Sequence, residues 1–254
     1  MIDGPKILFL DIETAPNFAT VWSIWNQNIG LNQLLESGYM LSWAAKWKGA
    51  KEILFDSVNK SGKDGVTKSA WKVINEADIV VTFNGRKFDM PNLNKEFLLH
   101  KLPPPAPYKQ VDLYQIAKKR FVFVSYKMAY ITKFLGFKGK VKVDHQLWLD
   151  CMAGKPAAWK RMEKYNKRDV TELEGLYNRF LPWVDTHPSY GLYKDTKRPV
   201  CTNCGSTHVN ARGYQVAKTQ VYKKYQCQNC GTWMRSRYAE KRENPKNVLT
   251  QVAD

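Results

Sequence analysis

Two carboxylates, Asp11 and Glu13, close the apolar run Ile7-Leu-Phe-Leu-Asp-Ile-Glu13. Residues two apart on a strand point to the same face, so the pair converges. Converging carboxylates suit a hard divalent cation, which takes oxygen ligands; a strand end dipping into solvent has the same look. A third carboxylate, Asp89, ends the string F-N-G-R-K-F-D at the mouth of a helix, where an aspartate equally serves as a cap. A fourth, Asp169, stands four residues beyond Tyr165 in Y-N-K-R-D, so on a helix the two share a face. An exposed charged turn would read the same way.

Thiols form a second constellation. Cys201-Thr-Asn-Cys204-Gly and Cys227-Gln-Asn-Cys230-Gly repeat one spacing, with 22 residues between them. Four thiolates so spaced can wrap a tetrahedral Zn²⁺, and a glycine after each pair tolerates a left-handed turn. Disulfides or unrelated thiols are the competing accounts; a reducing compartment opposes the first and the repeated spacing the second. Four cysteine ligands fill a zinc site, which makes it structural.

The elements that must position these groups are legible in outline. Strands are predicted at Ile7–Glu13, Tyr39–Lys48, Glu52–Ser57 and Asp78–Phe83, the last almost wholly apolar as a buried strand should be. Helical patterns run over Val66–Ala77, Met90–His100 with Pro91 in its first turn, Leu113–Phe121, Lys127–Leu135 and Pro156–Phe180. Pro103–Pro107 is a rigid connection. Strands early and helices interleaved later describe an α/β fold, a mixed sheet covered by helices. Val209–Val216 and Gln220–Gln226 can form a hairpin between the cysteine pairs. The expected division is 1–184 for the first domain, 185–198 for a Pro- and Gly-bearing linker, 199–238 for the cysteine module and 239–254 for a basic, polar tail.

Composition narrows the function. Of 254 residues, 44% are hydrophobic and 25% charged, as in an ordinary globular protein. No apolar run reaches membrane-spanning length, and the run Ile7–Leu10 stops at Asp11 rather than extending into a secretory signal; a cytoplasmic protein is expected. The net charge of +17 attracts polyanions, of which nucleic acid is the commonest. Residues 191–254 carry 12 Lys and Arg against 4 Asp and Glu, a denser excess than over residues 1–190.

Taken in order, Asp-x-Glu on the first strand, Asn-x3-Phe-Asp after a later one and Tyr-x3-Asp on a late helix resemble the three motifs of the DnaQ-like (DEDD) 3′–5′ exonucleases. The resemblance spans about residues 6–181 and places the chain with the tyrosine variety, which includes the proofreading domains of family-B DNA polymerases. The strings P-P-P-A-P-Y-K-Q-V-D and L-W-L-D-C-M-A-G-K-P-A-A-W-K-R-M are similar to stand-alone predicted exonucleases of bacteria and phages. The resemblance implies an RNase H-like mixed sheet flanked by helices, followed by a small C-terminal β zinc ribbon. It also implies two Mg²⁺ or Mn²⁺ ions held by Asp11, Glu13, Asp89 and Asp169, with Tyr165 orienting the attacking water. Asn84 and Phe88 match the second motif and would shape its loop beside the substrate. The implied substrate is the 3′ end of single-stranded nucleic acid, DNA in the first instance. An exoribonuclease with the same site is the alternative, as is a catalytically idle nucleic-acid-binding or scaffold protein, which the complete carboxylate set argues against.

In the cysteine module cations alternate with aromatics: Arg212, Tyr214, Lys223, Lys224, Trp233, Arg235 and Arg237. Such interleaving binds single strands through phosphates and base stacking; docking onto a polymerase or repair partner is the competing use. Asp112, Asp144 and Asp150 are expected to be structural.

Overall fold

The computed structural model describes residues 4–137, 143–241 and 248–250. Residues 242–247 and 251–254 of the expected tail lie outside the described residues. The chain divides into two compact units, Lys6–Asn178 and Arg179–Asp254 with Met1–Pro5.

In the larger unit, β1 (Ile7–Thr14) precedes a small hairpin of β2 (Phe18–Ala19) and β3 (Leu34–Glu36), then β4 (Met40–Trp47) and β5 (Leu54–Ser57). Next come α1 (Val58–Asn75), β6 (Ile79–Thr82), α2 (Asp89–Leu99), β7 (Lys109–Asp112) and α3 (Leu113–Arg120). The unit ends with α4 (Met128–Phe134), α5 (Gln146–Met152) and α6 (Pro156–Phe180), whose last residues lie across the division. The main sheet has the order β5-β4-β1-β6-β7, with β1 antiparallel to β4 and parallel to β6. This is the mixed sheet flanked by helices that the sequence predicts.

Period-two alternation along β1 sorts its side chains between two layers. Leu8, Leu10 and Ile12 enter a core with Val66, Ala70 and Ile74 of α1 and Met90, Leu93 and Phe97 of α2. Phe9 faces the other way and meets Tyr177 of α6 edge-on, 5.2 Å between ring centroids. Asp11 and Glu13 inherit the Phe9 face. A second core, built from Leu41, Leu147, Trp159, Met162 and Tyr165, lies on that side and docks α5 and α6.

Three departures from the predicted elements have local causes. Helix α1 begins at Val58, where the Ser57 hydroxyl caps the Lys60 amide, but Gly62 interrupts it with φ +68°, so the apolar period starts only at Val66. Strand β7 is short and polar at its start; it forms because its backbone pairs with β6 from Ile79 through Thr82. Helix α5 lies in a stretch given no secondary structure above; Leu147 and Cys151 are its buried residues, and Trp148 and Met152 pack beside them.

The smaller unit holds β8 (Val209–Val216), β9 (Val221–Cys227) and β10 (Trp233–Arg235), an antiparallel sheet in the order β10-β9-β8. Its two cysteine turns are built alike. Gly205 and Gly231 take φ of +72° and +83° and donate to the carbonyls of Cys201 and Cys227, each at 3.0 Å. The Asn203 side-chain amide donates to the Leu181 and Val184 carbonyls at 2.8 Å each, which fastens residues 181–184 to the first turn. Strands and four cysteines together fit a small zinc ribbon. Among the described residues no helix is long and apolar enough to cross a membrane.

One glycine carries the loop after β6. A Cβ on Gly85 would lie 2.2 Å from Thr82 Oγ1 and 2.4 Å from Thr82 Cβ, and Thr82 is fully buried. Gly85→Ala is therefore expected to destabilise the protein by roughly 1–3 kcal/mol. Thermal unfolding followed by circular dichroism checks this, and an unchanged midpoint would refute the contact.

Candidate active site and cysteine centre

One oxygen each from Asp11, Glu13 and Asp169 lies within a group no more than 4.8 Å across. The first two come from the Phe9 face of β1 and the third from α6, which packs on that face. Asp169 is buried, while Asp11 and Glu13 are half-buried. Each carboxylate has a dedicated donor. Asn166 Nδ2 lies 2.6 Å from Asp11 Oδ2, and its own Oδ1 accepts from Ser42 Oγ at 3.1 Å. Trp148 Nε1 donates to Glu13 Oε2 at 3.0 Å. The Tyr165 hydroxyl donates to Asp169, and its pKa is raised well above that of an ordinary phenol, first by burial and then by the charges of Asp169, Glu13 and Asp11. Tyr165 is thus a neutral donor at any physiological pH. The Trp148 ring meets Tyr165 edge-on at 5.9 Å, locking both.

Asn166 and Trp148 were missed by sequence reasoning. Asn166 sits inside the quoted Y-N-K-R-D string, three residues before Asp169, and that helical spacing was the available signal. Trp148 lies in the L-W-L-D string, where nothing local marks it as a partner of Glu13.

Asp89 is not among the three grouped carboxylates. It begins α2, on the opposite layer, and its Oδ1 accepts the Ile12 amide at 3.2 Å. That amide is available because β1 pairs with β6 only from Ile7 to Phe9. Burial, followed by the charge of Asp112, pushes the Asp89 carboxyl up to about 7. Asn84 takes φ +67° at the turn into this loop, and its amide donates to Asp112 Oδ1 at 2.9 Å. Phe88 is 43% exposed at the helix mouth. Asp112 also accepts the Arg86 and Tyr114 amides, so it braces the loop, as a structural aspartate should.

The donor set fits a hard cation. Three carboxylates this close repel one another unless a positive charge lies between them, and oxygen ligands are what Mg²⁺ and Mn²⁺ take. The four sulfurs of Cys201, Cys204, Cys227 and Cys230 also lie within 4.8 Å of one another, a soft donor set suited to a tetrahedral metal. Sulfur–sulfur distances of 3.5 Å (Cys201–Cys230) and 3.6 Å (Cys204–Cys227) exclude disulfides between these partners.

The ribbon register separates the residues singled out for nucleic acid. Trp233 faces Gln226 and Arg235 faces Lys224, so Trp233, Lys224 and Arg235 share one face with Tyr222. There Lys224 Nζ lies 5.2 Å from the Trp233 ring centroid and the Arg235 guanidinium 3.7 Å from that of Tyr222. Lys223 pairs with Tyr214 on the opposite face. Arg212 sits in the bulge between Ala211 and Tyr214, and Arg237 follows β10 beside Tyr238.

Comparison with known proteins adds a family. The family model described as RNase H superfamily matches residues 8–181. Among solved structures, the chain is similar to the family B DNA polymerase from the hyperthermophilic archaeon Pyrobaculum calidifontis, at 17% identity and a TM-score of 0.52. That likeness covers 70% of this chain and 25% of the polymerase, so it spans about a quarter of the polymerase's length, and it bears on fold alone. Comparison with curated proteins finds no match.

Two measurements follow from the ionisation of buried groups. Asp89 has a folded-state pKa of about 7 against 3.8 for the free carboxyl. Its contribution to stability is fully present below about pH 4, declines as the unfolded chain ionises first, and is lost once pH passes the folded value. Metal-free protein should therefore melt at a falling temperature from pH 5 to pH 7 (about the window between the two pKa values), and Asp89→Asn should flatten the decline; equal slopes in both proteins would contradict it. Cys151 is buried, and its thiol is pushed up to about 11, chiefly by burial. Iodoacetamide on folded, chelator-treated protein should modify the half-buried Cys204 and Cys230 ahead of Cys151. Peptide mapping that found Cys151 modified as fast as those two would overturn that.

Proposed function

The chain belongs to the RNase H superfamily, and we propose that it is a metal-dependent 3′–5′ exonuclease acting on single-stranded nucleic acid, with DNA the favoured substrate. The observation that carries this reading is the grouping of Asp11, Glu13 and Asp169 within 4.8 Å beside a neutral Tyr165 hydroxyl. These carboxylates would hold two Mg²⁺ or Mn²⁺ ions, with Asp89 supporting the second directly or through water. Bound there, the ions supply an activated water, charge stabilisation on the phosphoryl oxygens and help for the departing 3′ oxygen.

The protein's own part is positioning. Asn166, steadied by Ser42, holds the Asp11 carboxylate in one rotamer, and Trp148 does the same for Glu13. Tyr165 keeps its proton, so its hydroxyl can orient an attacking water and does not compete as an anion. The Asn84 turn and Phe88 would lie beside the terminal nucleotide. In the smaller unit Cys201, Cys204, Cys227 and Cys230 would hold one structural Zn²⁺, and the face carrying Lys224, Trp233 and Arg235 would contact the strand. In this reading residues 1–184 form the nuclease domain, 185–198 the linker and 199–238 the ribbon of a cytoplasmic enzyme that works alone or beside a polymerase or repair protein.

The test is a time course with Mg²⁺ or Mn²⁺ on 5′-labelled single-stranded DNA, duplex DNA and RNA. A ladder shortening from the 3′ end is expected, with circular single strands resistant; cutting of circles would mean an endonuclease. Asp11→Asn and Asp169→Asn should each lower the rate by about a thousandfold or more, whereas Tyr165→Phe should cost no more than about a hundredfold. Full activity in either aspartate variant would falsify the site.

A further inference from the structure

Between Leu113 and Phe137 the chain carries five Lys and Arg, seven aromatic residues and no Asp or Glu. That is one net positive charge every five residues, against one every eight over residues 191–254. The structure arranges this stretch as a continuous aromatic strip. Tyr114 meets Tyr126 at 6.4 Å, Tyr126 meets Phe123 at 6.1 Å, and Phe123 meets Phe134 at 5.8 Å. The strip ends in a stacked pair on α4, Tyr130 and Phe134, 6.2 Å apart with 18° between planes. Phe134 is 66% exposed, which no core packing requires. Lys118, Lys127 and Lys133 are exposed along the strip.

Both ends of the strip are fastened to elements that carry the site. Tyr114 packs against Phe83, the residue before Asn84, at 5.8 Å. Asp112 accepts the amides of Asn84 and Tyr114 together, tying the loop before Asp89 to α3. On α4, Thr132 Oγ1 donates to Glu172 Oε2 at 3.1 Å, and Glu172 lies three residues beyond Asp169 on α6.

We propose that this strip is the track for the substrate strand behind its 3′ end, with phosphates on Lys118, Lys127 and Lys133 and a base stacked on the Tyr130–Phe134 pair. The proposal rests on the nucleic-acid reading of the carboxylate site. Charge complementarity selects the occupant. A run of cations free of carboxylates attracts a polyanion, and exposed flat aromatic faces take unpaired bases, which a duplex does not offer. A protein partner would be drawn instead to the exposed apolar side chains of Val122 and Val124 on the same segment.

The test separates binding from cleavage. In an Asp11→Asn background without added divalent cation, fluorescence anisotropy measures affinity for labelled oligothymidylate and oligouridylate of roughly 20 nucleotides. Lys127→Ala/Lys133→Ala should reduce the slope of log affinity against log salt by about 1.4, or about 0.7 for each lost phosphate contact. Phe134→Ala should weaken binding roughly tenfold, and Phe134→Trp should restore it. With Asp11 intact, both variants should lose more cleavage of the roughly 20-nucleotide strand than of a trinucleotide, which offers the strip fewer phosphates and bases. Unaltered affinity and slope in both variants, or no strand binding by the parent protein, would overturn the track. Loss of affinity in these variants from a protein that cleaves nothing with either metal would keep the track and overturn the exonuclease reading. Normal cleavage with unaltered affinity would do the reverse.

Discussion

The structure of the larger unit is organised around a repulsion. Three carboxylates held within 4.8 Å oppose one another by roughly 3 kcal/mol per pair, taking an effective dielectric of about 20. A flexible chain would relieve this by moving them apart. Here it cannot, because Asp11 and Glu13 continue a strand whose preceding residues Ile7–Leu10 are fully buried, and Asp169 sits on a helix docked through Met162, Leu173 and Tyr177, each almost wholly buried. The apolar core thus enforces an electrostatically costly arrangement, which a divalent cation would relieve. Preorganisation of this kind is what a metal site requires.

The donors around the carboxylates temper the repulsion without neutralising it. Asn166, Trp148 and Tyr165 are all uncharged, and each fixes one carboxylate while leaving its negative charge in place. A lysine or arginine in any of these positions would hold the acid more strongly but would compete with the ion. The raised pKa of Tyr165 comes first from burial, and the field that would attract a cation opposes a phenolate further. Asp89 obeys a different rule. It is buried against the edge of β1 with an amide partner, and desolvation keeps it protonated until near neutrality.

Period and spacing made part of this legible in the sequence. The face shared by Asp11, Glu13 and Phe9 follows from alternation on one strand, and the Tyr165–Asp169 pair from one helical turn. The positive φ of Gly205 and Gly231 follows from the repeated Cys-x2-Cys-Gly. What stayed hidden depends on packing between distant elements. That α6 covers the Asp11 face while α2 covers the other is a property of the assembled sheet, and Asp89, at the start of α2, is not among the three grouped acids. The Trp148–Glu13 contact spans 135 residues. On the ribbon, consecutive Lys223 and Lys224 looked like one patch, yet a strand sends them to opposite faces.

A phosphodiester substrate is itself polyanionic, so an acidic centre must be reached against its own field. The distribution of charge in this chain answers that difficulty. Asp169 is buried, and Asp11 and Glu13 are half-buried, so these carboxylates are set back from the outer surface. The cations of the 113–137 stretch lie on the surface with no acidic neighbour in sequence, where they act at the distance of a Debye length and set the sign that an approaching polyanion meets first. Within the larger unit, attraction at the surface and repulsion at the site would therefore fall to different residues, the second relieved by a cation in the site. Metal and substrate would then depend on each other: the carboxylates would hold the ion, and its charge would let a phosphate approach.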